Sequence, residues 1–199
     1  MYSSSKLSNW SRYNPWDMEI DKAIQRLPKS SSKPQVHKFP VHSDFILPLE
    51  IKDVEAALEK LGSDVTEGLH TILLLAGTTK QKSFRRGSRF GIYCKDQGLI
   101  AIHAFPKHLQ IMQFKGGLPP AVQQEYIRAG AIFKSPDTII LDEAAVRRFL
   151  LDDVLLHEIG HHIDRENFSN KSLKKAEGFA DWFATEHGFR RASDMVALR

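Results

Sequence analysis

The sequence predicts an α+β domain, and three signals along the chain support this fold class. Two β-rich runs, residues 89–94 and 99–105, flank the turn sequence Lys-Asp-Gln-Gly and indicate a β-hairpin. Residues 138–141 read as a later strand, and apolar residues at helical spacing follow in residues 154–163 and 172–187. We therefore expect a small mixed β-sheet covered by helices, two of them near the C-terminus.

The length and composition are those of a globular domain. A chain of 199 residues can enclose a full core, and 42% hydrophobic with 26% charged residues is ordinary globular composition. The single cysteine, Cys94, precludes an intramolecular disulfide and fits a reducing compartment. No apolar run reaches the length of a membrane span, and residues 1–6 lack the apolar region of a signal peptide. We expect a cytoplasmic protein without a membrane partner, and the sequence leaves its oligomeric state open.

The N-terminal segment differs from the rest of the chain in charge and composition. Residues 1–40 contain seven Lys or Arg and three acids, so the net charge of +4 resides there. Residues 30–34 are rich in Ser and Pro, which indicates a loose connection, and residues 17–27 read as a short helix. We expect residues 1–45 to be a basic, partly flexible segment and residues 46–199 to be the folded domain. The segment is either a solubilising arm or a contact for an acidic partner.

Other local patterns complete the expected fold. Apolar residues at helical spacing from Ile51 to Leu61 predict a helix of about three turns. Residues 69–75 form a continuous apolar run, for which periodicity does not distinguish a buried strand from a helix segment. After the hairpin, residues 116–120 read as a loop, and a short helix follows through Tyr126.

The pattern His-Glu-x-x-His begins at residue 157, within a run that reads as helix. Residues four apart share one face of a helix, so His157 and His161 can present their imidazoles to one metal ion, with Glu158 beside them. Two neutral imidazoles suit zinc, and a carboxylate beside a zinc-bound water can act as general base. Gly160 costs about 1 kcal/mol in a helix relative to Ala, which predicts close approach of another backbone. Asp152 is a reasonable cap for this helix.

A catalytic zinc site needs a third protein ligand, and the next helix offers one. That helix spans residues 172–187, with Ser172 as N-cap and Gly188 just past its end. Glu177 and Asp181 are four apart and share a face of it. Glu177 would reach the metal, while Asp181 would accept the free ring N–H of a ligand histidine, most simply His157.

Together the two helices resemble those of a known enzyme family. The His-Glu-x-x-His motif followed by Glu177-x-x-Ala180-Asp181-x-Phe183-Ala184 resembles the gluzincins and looks most like the small intracellular ImmA/IrrE-type metallopeptidases. The resemblance implies a zincin-like fold, zinc as cofactor and a protein or peptide as substrate. It also implies the following site residues: His157, His161 and Glu177 as zinc ligands, Glu158 as general base and Asp181 as a carboxylate that supports a ligand. Residues 138–141 would be the edge strand along which an extended peptide lies.

Several neighbouring residues have alternative interpretations. His162 lies about 140° around the helix from His157, so packing or hydrogen bonding on another face is expected. Asp164 returns to the metal face and is either a support of the site or the third ligand. Glu177 and Asp181 could instead be a solvated acidic pair.

The resemblance is incomplete at two points. Ala176 stands where thermolysin-like enzymes carry a polar residue that supports the second histidine. The residue that stabilises the oxyanion is not identified, and Tyr126 and His187 are both candidates.

The expected function is that of a zinc-dependent endopeptidase. One alternative is a DNA-associated zincin-like protein, because five Lys or Arg and no acid lie in residues 80–89. Another is a zinc-bound protein that acts through protein contacts without catalysis. Salt-dependent DNA binding would favour the first alternative, and function retained by Glu158→Gln would favour the second.

Overall fold

A computed structural model describes residues 33–78, 81–82, 90–114, 116, 120–167 and 173–189. The strands are β1 (Gln35–Lys38), β2 (Phe45–Ile46), β3 (Thr71–Leu75), β4 (Gly91–Cys94), β5 (Leu99–His103), β6 (Phe105–Pro106), β7 (Ile111–Gln113), β8 (Ile132–Ser135) and β9 (Thr138–Ile140). The α-helices are α1 (Ile51–Leu61), α2 (Ser63–Thr66), α3 (Pro120–Arg128), α4 (Glu143–Arg148), α5 (Leu156–Asn167) and α6 (Leu173–Ala184). Two π-helices, Phe149–Leu155 and Thr185–Phe189, follow α4 and α6. The protein is a mixture of helices and small sheets, in agreement with the expected class.

The largest sheet within the described residues has four strands in the order β1-β3-β5-β4. The central strands β3 and β5 are buried along their whole length, so the run at residues 69–75 is a strand and not a helix segment. Neighbouring strands are parallel except for β4, which pairs antiparallel with β5. The predicted hairpin is therefore confirmed, with β4 as an outer strand of this sheet.

The hairpin turn requires glycine. A 3-10 turn, Lys95–Gln97, leads to Gly98, whose φ of 55° lies in the left-handed region. A Cβ at this position would lie 2.3 Å from the carbonyl oxygen of Gly68, so space as well as backbone conformation excludes a side chain. The hairpin is thereby packed against the turn that precedes β3.

The expected edge strand at residues 138–141 is wrong. Strand β9 is the middle strand of a three-stranded sheet, in the order β7-β9-β8, and pairs antiparallel on both sides. Its edges are occupied because residues 132–135 form a hairpin with it and residues 111–113 return to its other side. A peptide cannot add to this strand, because its backbone hydrogen-bonding groups face β7 and β8.

The N-terminal helix of the described region confirms one prediction. Helix α1 ends at Leu61, and Glu50 and Asp53 form a reciprocal capping box at its start. Its buried residues Val54 and Leu58 join the core. The core also contains residues of β3, β5, the first π-helix, α5 and α6. The core is thus shared by the sheet and the helices that follow it.

No cap interrupts the chain before α5. Asp142 caps α4 by accepting from the backbone N–H of Ala145, and the chain then continues through the first π-helix directly into α5. Asp152 lies inside that π-helix, so its expected role as a cap is wrong. Buried Leu150 and Leu155 explain the difference, because their packing holds the segment helical.

Gly188 does not end the last α-helix. The second π-helix continues α6 and contains Gly188, where a Cβ would lie 2.1 Å from the carbonyl oxygen of Asp152. The glycine therefore permits close contact between the two π-helices. The expected N-cap, Ser172, lies outside the described residues.

The basic segment predicted at residues 1–45 contains a strand. Strand β1 lies within the segment 1–45, and the compact unit starts at Lys33. One buried residue, Val36, gave too short an apolar pattern to predict this strand. The helix expected at residues 17–27 lies outside the described residues, as does most of the basic segment 80–89. None of the described helices is long and apolar enough to cross a membrane.

Candidate metal centre

The site is built where α5 crosses α6, and small residues allow these helices to touch. A Cβ at Gly160 would lie 2.7 Å from the Cα of Ala180 and 3.2 Å from the Cβ of Phe183. Any side chain at position 160 would therefore push α6 away. The close backbone approach expected from a glycine inside this helix is confirmed.

Across this contact, His157, His161 and Glu177 converge. Glu177 Oε2 lies 3.4 Å from His157 Nε2 and 3.7 Å from His161 Nε2, and the three ligand atoms are all within 4.8 Å of one another. Ligand atoms around a tetrahedral zinc ion lie about 3.3 Å apart, given metal–ligand distances of about 2.0–2.1 Å. The three side chains therefore fit a metal ion without large rearrangement. The histidine side chains are 22% and 20% exposed, so both are in contact with solvent.

Asp181 orients one of the two histidines. Its Oδ1 lies 3.0 Å from His157 Nδ1, which is the geometry of an N–H donating to a carboxylate. A proton on Nδ1 leaves the lone pair of Nε2 free on the side that faces Glu177. The carboxylate thus favours the tautomer of His157 in which Nε2 could bind a metal ion.

Glu158 follows His157 and points to a different neighbour. It is buried, with 8% of its surface exposed, and lies against β4. A Cβ at Gly91 would be 2.7 Å from both Cγ and Oε1 of Glu158, so the glycine provides the space for this carboxylate. Gly91 was not singled out in the sequence, although a glycine inside a strand pattern signals close approach of another group.

The thiol of Cys94 lies in the same region of β4. Burial, together with the negative charges of Glu158 and Asp96, raises the pKa of Cys94 to about 11. Cys94 is a free cysteine and is partly buried.

His162 and Asp164 have separate places. His162 is buried, and its ring nitrogens hydrogen-bond to the Tyr93 hydroxyl and the Glu67 carbonyl, so the expected packing away from the metal is confirmed. Asp164 is also buried, with 5% exposed, and does not belong to the group of ligand atoms. Glu177, and not Asp164, lies with the two histidines in the group that could hold a metal ion. Tyr93 and Glu67 were not recognised in the sequence, because neither lies near the motif along the chain.

The two oxyanion candidates are positioned by aromatic contacts. The ring of Tyr126, in α3, lies 6.1 Å from that of Phe114, beside the three-stranded sheet. The ring of His187, in the second π-helix, lies 4.2 Å from that of Phe183 in α6. The π-helix that contains His187 continues α6, the helix that carries Glu177 and Asp181.

The centre therefore combines two imidazole nitrogens and one carboxylate oxygen. The residue that follows His157 in the chain, Glu158, is a buried acid. Three protein ligands leave a fourth tetrahedral position for water, which is the arrangement of a catalytic rather than a closed structural site. Glu158 is a fourth group, a carboxylate separate from the three possible ligands. No family model, curated protein or solved structure matches this chain.

Proposed function

We propose that the protein is a zinc-dependent endopeptidase of zincin-like fold, cleaving a protein or peptide in the cytoplasm. The observation that carries this proposal is the convergence of His157, His161 and Glu177. The residue that follows His157 is a buried acid, Glu158. The donor set of two imidazoles and one carboxylate favours zinc over the hard cations, which prefer oxygen ligands.

The residues of the chain divide the work of hydrolysis. When bound, zinc lowers the pKa of a coordinated water and polarises the scissile carbonyl. Glu158 takes a proton from the attacking water and delivers it to the leaving amine nitrogen. Asp181 keeps the ring of His157 oriented through the contact at Nδ1.

Strand β4 replaces β9 as the element that aligns the substrate. It is an outer strand of the four-stranded sheet within the described residues, and its first residue, Gly91, lies against Glu158. An extended peptide that pairs with an outer strand gains backbone hydrogen bonds without a specific sequence. A peptide on β4 would pass beside the general base, which supports this assignment.

The proposal is tested by separating metal binding from cleavage. Purified wild type should contain about one zinc per chain and cleave unfolded casein. Glu158→Gln should keep the zinc and lose activity by about 10²-fold or more, because it removes only the general base. Glu177→Ala should lose both. The control is Glu55→Gln, an exposed acid of α1, which should match wild type.

Two results would contradict the proposal. Cleavage by Glu158→Gln at the wild-type rate would remove its proposed role. Wild type that binds zinc and cleaves neither casein nor a peptide library would favour a protein that acts through contacts alone.

A further inference from the structure

We propose that Tyr93 and His162 form a positioning pair that sets the register of β4 against α5 and thereby places Gly91 beside Glu158. This inference rests on the proposed function, because the strand positioned, β4, lies against the general base and aligns the substrate in that proposal. Tyr93 and His162 hydrogen-bond through the hydroxyl and Nδ1, which lie 3.1 Å apart. Their rings are 5.4 Å apart at an angle of 77°.

The spacing of the two elements makes this pairing regular. Glu158 and His162 are four apart on α5, so they share a face and are separated by about 6 Å along the axis. Gly91 and Tyr93 are two apart on β4, so they share a face and are separated by about 6.6 Å. The strand therefore runs along the helix with residue 91 at Glu158 and residue 93 at His162.

Hydrogen bonding at both ends defines the state of the His162 ring. Nε2 lies 2.8 Å from the carbonyl oxygen of Glu67, and a carbonyl can only accept, so Nε2 carries the proton. In the neutral ring Nδ1 is then an acceptor, and the Tyr93 hydroxyl donates to it. His162 is 1% exposed, so removal of either partner would leave one of its ring nitrogens buried without that hydrogen bond. The ring thus joins β4, α5 and the turn after α2.

The register matters because β4 contains a single glycine. A Cβ at the position of Gly91 would lie 2.7 Å from Glu158 Oε1 and 2.8 Å from Val154 Cγ1. The other residues of β4, at positions 92–94, all carry a Cβ. Any shift of the strand along α5 would bring one of them into the space that Glu158 occupies. The hydrogen bond at Tyr93 opposes this shift from one helical turn away.

The first test compares Tyr93→Phe, His162→Gln and the double variant on the best fluorogenic peptide from a wild-type screen. Tyr93→Phe should keep one zinc per chain and lower kcat about tenfold or more, because small displacements of a reacting group are costly. The double variant should have a kcat no lower than that of the less active single variant, because both changes remove the same hydrogen bond. Thr71→Val is the control, because it removes a buried hydroxyl from β3 in the same sheet. Unchanged kcat in Tyr93→Phe, or additive losses in the double variant, would overturn the inference.

The second test does not depend on peptidase activity. In ¹⁵N NMR spectra of the metal-free protein, His162 should be protonated at Nε2 and bare at Nδ1. Tyr93→Phe and His162→Gln should shift the amide resonance of Gly91 in the same direction, whereas Thr71→Val should leave it in place. The opposite tautomer, or a Gly91 resonance insensitive to both variants, would overturn the pairing. Wild type without peptidase activity but with these shifts would contradict the proposed function and leave the positioning pair standing.

Discussion

Nδ1 of His157 lies 3.0 Å from Oδ1 of Asp181, so the two helices of the site are joined by a hydrogen bond as well as by a shared ion position. The donor is the ring nitrogen that does not face Glu177. The bond therefore acts on metal affinity only through the orientation and tautomer of His157.

Removal of this support should weaken zinc binding without abolishing it. Asp181→Ala is expected to raise the zinc dissociation constant about 10- to 100-fold, because the ring of His157 loses its fixed tautomer. Competition with a chromophoric chelator measures this change. The control Glu55→Ala removes an acid of α1 and should bind zinc like wild type. Equal affinities of Asp181→Ala and wild type would show that the contact has no role at the metal.

Two glycines on the paired helices should respond to alanine in opposite ways. Gly160→Ala forces a Cβ to within 2.7 Å of the Ala180 Cα, and such overpacking costs about 1–3 kcal/mol of unfolding free energy. Gly178→Ala meets no atom within 4 Å and should stabilise by about 0.5–1 kcal/mol through helix propensity. Urea unfolding of both variants tests the pair. A neutral or stabilising Gly160→Ala would contradict the close helix contact.

Gly91→Ala should separate metal binding from turnover. The new methyl group would collide with Glu158 and displace its carboxylate, while His157, His161 and Glu177 keep their places. We expect zinc content to match wild type and kcat to fall by at least about tenfold. Elemental analysis and initial rates on one preparation measure both. Gly178→Ala, which adds the same methyl group in open space, serves as the control. Wild-type turnover by Gly91→Ala would show that Glu158 does not need this space.

Cys94 should alkylate slowly in the folded, metal-free protein. Burial and the charges of Glu158 and Asp96 raise the pKa of Cys94 to about 11, so only about 0.1% is thiolate at pH 8. Iodoacetamide should therefore modify the folded chain about a hundredfold more slowly than the chain in urea. Mass spectrometry follows the reaction. Glu158→Gln should accelerate it, because one of the charges that raise this pKa is removed. Equal rates in folded and unfolded protein would contradict the environment described for this thiol.

The ion pair between α1 and α4 should contribute stability only above acidic pH. Arg147 Nη2 lies 2.8 Å from Asp53 Oδ1, and this hydrogen bond lowers the pKa of Asp53. A lowered folded-state pKa means that the contribution is present above the unfolded value, near pH 4, and is lost as pH falls through the folded value. Asp53→Asn should therefore reduce unfolding free energy at pH 7 by up to about 1 kcal/mol, since the pair is partly exposed. Urea unfolding at pH 7 and pH 3 measures this difference, which should be smaller at pH 3 than at pH 7. A difference that is undiminished at pH 3 would contradict the role of the charged pair.

The site was predictable from sequence to the extent that its signals are local. His157, Glu158 and His161 lie within one helical turn, and the spacing of Glu177 and Asp181 repeats the same rule on the next helix. The hairpin of β4 and β5 was predictable for the same reason, because a turn signal separates two apolar runs.

The contacts that were missed join residues far apart in the chain. Tyr93 and His162, or Gly91 and Glu158, meet only after the sheet has been assembled against α5. The error at β9 has the same origin, because whether a strand is an edge depends on partners such as β7, which lies far before it in sequence. The π-helix through Asp152 was missed because its helical geometry depends on burial of Leu150 and Leu155 by other elements.

The three candidate ligand atoms come from two consecutive helices. A metal ion bound by them could therefore connect only these two helices. His157, His161 and Glu177 belong to α5 and α6, and neither the four-stranded sheet nor α1 supplies a ligand in the group. An ion bound there would close only the segment of chain between His157 and Glu177. It would connect α6 to α5 and would not connect either helix to the sheet. Local opening of α6 would then release the metal while the sheet stays folded, so exchange of the ion need not be limited by unfolding of the protein.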